Sequence, residues 1–153
     1  MKSEDINPFI EGTISTFSTM CNITPIRNGK LFLKQGISPT FDLIGFLGLS
    51  GTVRGACILS MPAETGMQVV TRFIGDEISE INADLLDGYG ELINIIAGAA
   101  AGKLNGRITL ALPTVVVGKD QLLHSKIGNP FVVVPMRFEE WGEFTIEVCM
   151  EDV

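Results

Sequence analysis

Apolar residues recur at helical spacing near the start of the chain, at Ile10, Ile14, Phe17 and Met20. Asn7-Pro8 precedes them. Asn is a good N-cap, and Pro is tolerated at the first helical position because its missing N–H would have no partner there. The spacing therefore predicts a helix opening at Asn7-Pro8 and closing at Cys21-Asn22. Extended segments follow. Asn28-Gly29, within Thr24–Lys34, suits a tight turn, and Asp42–Leu49 and Thr52–Ser60 flank Ser50-Gly51 as a hairpin. A second helix is expected from Ser60-Met61-Pro62, with Met67, Val70, Phe73 and Ile74 on its apolar face and Gly75 at its C-cap. The longest helix is predicted from Ala83 to Leu104. Asn82 would cap it, Asp84 and Asp87 suit the positive end of its dipole, and Leu85, Tyr89, Leu92, Ile96 and Ala100 mark its core face.

Three strands are predicted after it, Ala111–Gly118, Asn129–Phe138 and Glu143–Met150, with Glu139-Glu140-Trp141-Gly142 as the last turn. In the final strand Phe144, Ile146, Val148 and Met150 alternate with Glu143, Thr145, Glu147 and Cys149, which reads as one buried and one wetter face. Strands arrive in runs and not alternately with helices. This predicts an α+β fold: a largely antiparallel six-stranded sheet with long helices on one face. Helix plus three strands occurs twice, a pseudo-repeat within one domain spanning 1–153.

Composition narrows the function. With 46% hydrophobic and 19% charged residues among 153, the chain has the makings of one core. Mean hydropathy is +0.35, so membrane spans need checking. Charge-free stretches such as Leu92–Gly102 and Ile108–Gly118 fall short of the roughly 18 residues a span requires, and no membrane insertion is expected. MKSEDINPF lacks the pattern of a secretory signal. Cys21, Cys57 and Cys149 have no metal-type or redox-type spacing and suit reduced thiols in the cytoplasm. A net charge of -7 argues against a nucleic-acid partner. His124, in a predicted loop, reads as solvated, and one histidine builds no multi-histidine metal site. Gly45-Phe46-Leu47-Gly48 is no dinucleotide loop, and Gly102-Lys103-Leu104-Asn105-Gly106 lacks phosphate-loop spacing.

The long helix is the unusual segment. Gly88, Gly90, Gly98 and Gly102 lie on it, and each internal glycine costs roughly 1 kcal/mol relative to alanine. Asp87, Glu91, Asn94 and Gly98 share one stripe, flanked by Gly90 and Ala101. By spacing alone the stripe reads first as the solvated face of an amphipathic helix, and the glycines as a device for close packing. The same features also describe a low surface, bearing a carboxylate and a carboxamide, that a partner loop could reach.

Gly90-Glu91-Leu92-Ile93-Asn94-Ile95-Ile96-Ala97-Gly98 resembles the signature helix of the CheC/CheX/FliY phosphatases of bacterial chemotaxis, in which Glu-x-x-Asn is the active motif. Ile6-Asn7-Pro8-Phe9-Ile10, Gly48-Leu49-Ser50-Gly51 with Gly55, and Leu112-Pro113-Thr114-Val115-Val116-Val117-Gly118 extend the resemblance over nearly the whole chain. The first helix has Glu11-Gly12-Thr13-Ile14, with Ile where a second motif would place Asn, so the single intact motif resembles the CheX branch. The resemblance implies a phosphatase acting on the aspartyl phosphate of a CheY-like response regulator. It implies that Asn94 orients the attacking water and that Glu91 docks the partner's lysine. Asp87, Gly90, Gly98 and Ala101 would border the partner. The chain would bind no cofactor, the Mg²⁺ being supplied by the partner response regulator. It further implies a homodimer, with Thr114–Gly118 and Phe131–Pro135 as candidate surfaces. The competing expectation is a non-catalytic scaffold module that binds a response regulator or resembles a flagellar switch protein.

Overall fold

The computed structural model describes residues 1–35, 40–118 and 130–153. Helix α1 spans Ser3–Cys21, followed by β1 (Ile26–Arg27), β2 (Phe32–Lys34), β3 (Leu43–Gly51) and β4 (Val53–Met61). Helices α2 (Ala63–Ile74) and α3 (Ala83–Lys103) precede β5 (Ile108–Leu110), β6 (Thr114–Val117), β7 (Phe131–Phe138) and β8 (Gly142–Asp152). The fold is α+β, and every strand pairing is antiparallel. The sheet has eight strands, not six, in the order β1-β7-β8-β4-β3-β5, with β2 also on β7 and β6 also on β3.

The extra strands come from breaks in two edge segments. Residues 28–31 stand opposite Val134 and Pro135, so β1 and β2 are two pieces of one interrupted edge, both on β7. The predicted turn at Asn28-Gly29 is therefore not a hairpin. Asn28 donates its N–H to the Pro135 carbonyl (2.9 Å). A residue's N–H and C=O leave a strand on the same side, so the missing N–H of Pro135 faces the break, where pairing cannot continue. The predicted strand Ala111–Gly118 is likewise split. Residues 111–113 oppose Leu47 and Gly48, leaving one residue too many between β5 and β6.

These breaks fit the predicted pseudo-repeat. Each half offers a long helix, a broken edge and a hairpin, and each broken edge pairs with the hairpin of the other half: β1 and β2 with β7, β5 and β6 with β3. The hairpins meet at the central β4–β8 ladder, where Cys57 faces Val148. The β3–β4 hairpin, the Gly75 cap of α2 at φ 80° and the Asn82 cap of α3 match the sequence reading.

Helix α1 begins earlier than Asn7-Pro8. Asp5 accepts a hydrogen bond from the Lys2 N–H (3.2 Å), which sets the start, and Pro8 lies inside the helix. Its ring forgoes a bond to the carbonyl of Glu4, an exposed residue. One core cluster joins all three helices to one face of the sheet, including Phe9 and Phe17 of α1, Val69 and Val70 of α2, and Leu85, Tyr89, Ile93 and Ile96 of α3. Phe17 packs edge-on against Phe138 and Phe144, whose rings stack at 4.5 Å.

The opposite face of the sheet is drier than the alternation in β8 predicts. Thr145, Glu147 and Cys149 are all buried there, beside an apolar cluster of Ile44, Ala56, Ile58 and Phe131. Glu147 is only 2% exposed, and it keeps its charge company: Lys34 Nζ lies 2.6 Å away, with Thr145 and Thr40 hydroxyls at 2.9 and 3.2 Å. A buried carboxylate demands such partners. Of the two candidate dimer strands, β7 is paired on both sides, whereas β6 lies at the sheet margin. His124 and its predicted loop lie outside the described residues.

Candidate functional site

Helix α3 is fixed to the sheet from several sides, which determines what its outer face presents. The Asn82 side chain accepts the Leu85 N–H (2.9 Å) at the N-terminus. Tyr89 is fully buried and donates its hydroxyl to the Leu59 carbonyl (2.8 Å). Gly45 makes room for that ring, since a Cβ there would sit 3.1 Å from Tyr89 Cε2. Gly88 admits α2, because its Cβ would come within 2.6 Å of Val70 Cγ1. Gly12 admits α3 from the other side, its Cβ position lying 3.0 Å from the Ile96 carbonyl oxygen.

With those contacts made inward, Asp87, Glu91 and Gly98 are exposed, and Asn94 and Ala101 are half-buried. Glu91 and Asn94 stand about 4.5 Å apart along the helix axis. Among the described residues neither side chain has a hydrogen bond or ion pair. The corresponding stretch of α1 differs. Glu11 is bound to Lys103, and Ile14 stands where Asn would be.

The helical glycines divide into two kinds. Gly90 is buried: a Cβ would lie 3.3 Å from Val115 Cγ2 and 3.7 Å from Pro113 Cγ, so its missing side chain accommodates the sheet. Gly98 and Gly102 have no atom within 4 Å of a Cβ position and face open space. Close packing explains Gly88 and Gly90 but not these two.

Gly90 forms part of a cleft of about 430 Å³ between α3 and β6, lined by Leu86, Asp87, Gly90, Glu91, Pro113 and Val115. Its helix wall carries the carboxylates and its sheet wall is apolar. Sequence reasoning placed Asp87, Gly90 and Glu91 correctly on one helix but missed Leu86, Pro113 and Val115 as their neighbours. The placement of β6 beside α3 follows from the exchanged edges of the sheet, which no local pattern reveals. All six acids of residues 76–91 (Asp76, Glu77, Glu80, Asp84, Asp87 and Glu91) are exposed, and none is ion-paired among the described residues.

No group of three or more His, Cys, Asp or Glu side chains among the described residues is placed to hold a metal ion. No helix among them is long and apolar enough to cross a membrane. What the face offers is a free carboxylate suited to a cation, and a carboxamide able both to donate and to accept a hydrogen bond.

The family model described as chemotaxis phosphatase CheX matches residues 43–137, which include the whole of α3 and the cleft. No curated protein sequence matches the chain. Among solved structures, the chain is similar to a chemotaxis protein CheX from Desulfovibrio desulfuricans, at 29% identity and TM-score 0.86, over 97% of this chain and 99% of that one. It is similar to a CheC-like superfamily protein from Shewanella sp. PV-4, at 26% identity and TM-score 0.87, over 99% of each chain. At 22% identity and TM-score 0.79, over 96% of this chain and 97% of that one, it shares its fold with a protein crystallised as a CheX–CheY–BeF3–Mg²⁺ complex from Borrelia burgdorferi.

Proposed function

The chain belongs to the CheX family of chemotaxis phosphatases, and from that premise we propose that it hydrolyses the aspartyl phosphate of a CheY-like response regulator in the cytoplasm, with Asn94 and Glu91 in the reaction. The observation that carries this reading is the free Glu91–Asn94 pair on a rigidly held helix, bordered by the open positions of Gly98 and the cleft.

An acyl phosphate is already activated, so hydrolysis mainly requires a water held in line with the phosphorus–oxygen bond. Phosphoryl transfer relies on positioning and electrostatics, and a carboxamide can orient water without changing protonation. Asn94 would enter beside the phosphate, accept one water hydrogen at Oδ1 and aim the oxygen lone pair at phosphorus. Holding the water in place makes its attack effectively unimolecular. The burial of Tyr89 and the Gly88–Val70 contact prevent α3 from rolling, so Asn94 approaches from a fixed direction.

Glu91, one turn earlier, would pair with a lysine of the response regulator and set the docking register. Asp87 lies one turn further and extends the same negative edge. The Mg²⁺ that offsets the phosphate charge would arrive with the response regulator. The protein would act as a homodimer, and light scattering at micromolar concentration tests this: a monomer overturns it.

The direct test follows the decay of a phosphorylated CheY-like receiver with Mg²⁺, alone and with this protein, Asn94→Ala or Glu91→Ala. The expected result is acceleration by the wild type that disappears in Asn94→Ala and weakens in Glu91→Ala chiefly through a higher KM. Binding without acceleration by the wild type would instead favour a scaffold.

A further inference from the structure

We propose that Leu112, at the bulge between β5 and β6, is a specificity contact that seats in an apolar depression of the phosphorylated receiver, beside the aspartyl phosphate presented to Asn94. This rests on the reading just given and assigns the second wall of the cleft a role in it.

Leu112 is 90% exposed, more than any other large apolar side chain among the described residues. A lone exposed leucine means little by itself. Here its setting is informative. Residues 111–113 contain the extra residue of the bulge, and a bulge turns a side chain away from the pleat. The bulge is pinned on both sides, by the Ala111 N–H donated to the Gly48 carbonyl (3.0 Å) and by Thr114 in register with Phe46. Pro113 stiffens the step between them. Leu112 is thus mounted outward, on a segment with little freedom to fold it back.

The mount adjoins the cleft. Pro113, the next residue, lines it together with Glu91 and Gly90, and so does Val115. The two sides of the cleft have opposite chemistry. Residues 108–118 carry no charged side chain, whereas Asp84, Asp87 and Glu91 line the exposed edge of α3. A surface spanning both sides must be basic towards α3 and apolar towards the bulge. A small anion or metabolite meets neither demand. A protein surface that carries its own phosphate, cation and apolar rim meets both. The cleft reaches Glu91, one turn from Asn94, and this selects the receiver as occupant. Glu91 would fix the register through charge, and Leu112 would distinguish receivers by the shape of what lies beneath it.

The test compares Leu112→Ala and Leu112→Asp with the wild type in two assays: receiver-phosphate decay over a range of receiver concentrations, and binding of a receiver loaded with beryllium fluoride and Mg²⁺. For Leu112→Asp, KM and Kd should rise about tenfold, as expected when part of a leucine's burial is lost. Its kcat should stay within about twofold of the wild type. Leu112→Ala should shift the same quantities less. Melting temperatures should not change, since the side chain supports nothing in the fold. An unchanged Kd overturns the proposal, as does a fall in kcat at constant KM. If the wild type binds but does not accelerate decay, the phosphatase reading falls, and the Kd comparison still decides the contact. Failure of the wild type to bind any receiver overturns both.

Discussion

Replacing Gly98 should make the protein more stable and less active. Gly98 lies on the outer face of α3, one turn beyond Asn94, with no atom within 4 Å of a Cβ position. A side chain there meets nothing inside the molecule and relieves the helix of a glycine. From helix propensity, Gly98→Ala should gain about 1 kcal/mol and Gly98→Leu slightly less. For a chain of this length that corresponds to roughly 2–4 °C in Tm. On the proposed docking face, however, the same side chain would stand between the helix and the receiver. Displacing reacting groups by about 1 Å can cost on the order of a hundredfold in rate, and an isobutyl group stands off by more than that. Phosphate decay should be followed together with thermal unfolding for the series Gly98, Gly98→Ala, Gly98→Leu. Stability should rise at the first step and stay raised, while kcat/KM falls with side-chain size, by about a hundredfold for leucine. Gly98→Leu that is both folded and fully active would refute the docking face. Gly98→Leu that melts lower would refute the assignment of open space, since Gly88→Ala, with Val70 2.6 Å from its Cβ position, is the substitution that should melt lower.

Four further predictions follow from the same geometry. Tyr89→Phe should cost about 1 kcal/mol in urea unfolding, the net worth of the lost buried hydroxyl bond, since the Leu59 carbonyl keeps its ladder partner Gly45. The three cysteines are buried, and burial raises all of their thiols, that of Cys21 to about 12; a disulfide reagent at about pH 8 should therefore find no thiol in the native protein and three after denaturation. Burial of the Asp5 carboxyl opposes ionisation, but the hydrogen bond from Arg107, the Lys2 N–H and the Arg107 charge outweigh it and hold its pKa below the ordinary 3.8. A depressed carboxylate contributes stability above its unfolded pKa and loses it as pH falls through the folded one, so Asp5→Asn should lose on the order of 1 kcal/mol or less at pH 7 and should flatten the acid limb of a stability–pH curve. Finally, if the unpaired acids of 76–91 steer the partner, its association rate should fall severalfold as ionic strength rises from about 0.01 to 0.15 M, where the screening length shortens from about 30 to 8 Å; a flat dependence would rule steering out.

The elements legible in the sequence are those whose ends are marked by local chemistry. Pro62 and Gly75 bracket α2, Asn82 caps α3, and Gly51, at φ 108°, lets the first hairpin turn at Thr52, one residue beyond the predicted Ser50-Gly51. Local chemistry also misled at Asn7-Pro8, where a good N-cap pair lies inside a helix whose start is set by Asp5 and its distant partner Arg107. The broken edges were not readable, because a strand's interruption depends on what faces it, and Pro135 lies more than a hundred residues from Asn28. Alternation in β8 predicted a wetter face, yet Glu147 is buried because Lys34, Thr40 and Thr145 surround it. The site divides in the same way. The stripe of Asp87, Glu91, Asn94 and Gly98 is a property of one helix and could be read from spacing. The cleft wall of Pro113 and Val115, the inward use of Gly90, and the outward mount of Leu112 belong to the strand brought alongside.

The exchanged edges also determine when the molecule can finish folding. As the chain is synthesised, α1, the first broken edge and the β3–β4 hairpin emerge first. Yet β3 lacks its outer neighbour until residues 108–117 arrive, β4 lacks β8 until residues 142–152 arrive, and β1 and β2 have no partner until residues 131–138 arrive. A nascent first half would hold open ladders and an uncovered apolar face, a state prone to pairing with other chains. Most of its contacts close late and over long separations, which makes for slow folding. The last strands synthesised therefore seal both halves in one event, and the wall facing Glu91 comes into place only when the first hairpin has captured a strand from the second.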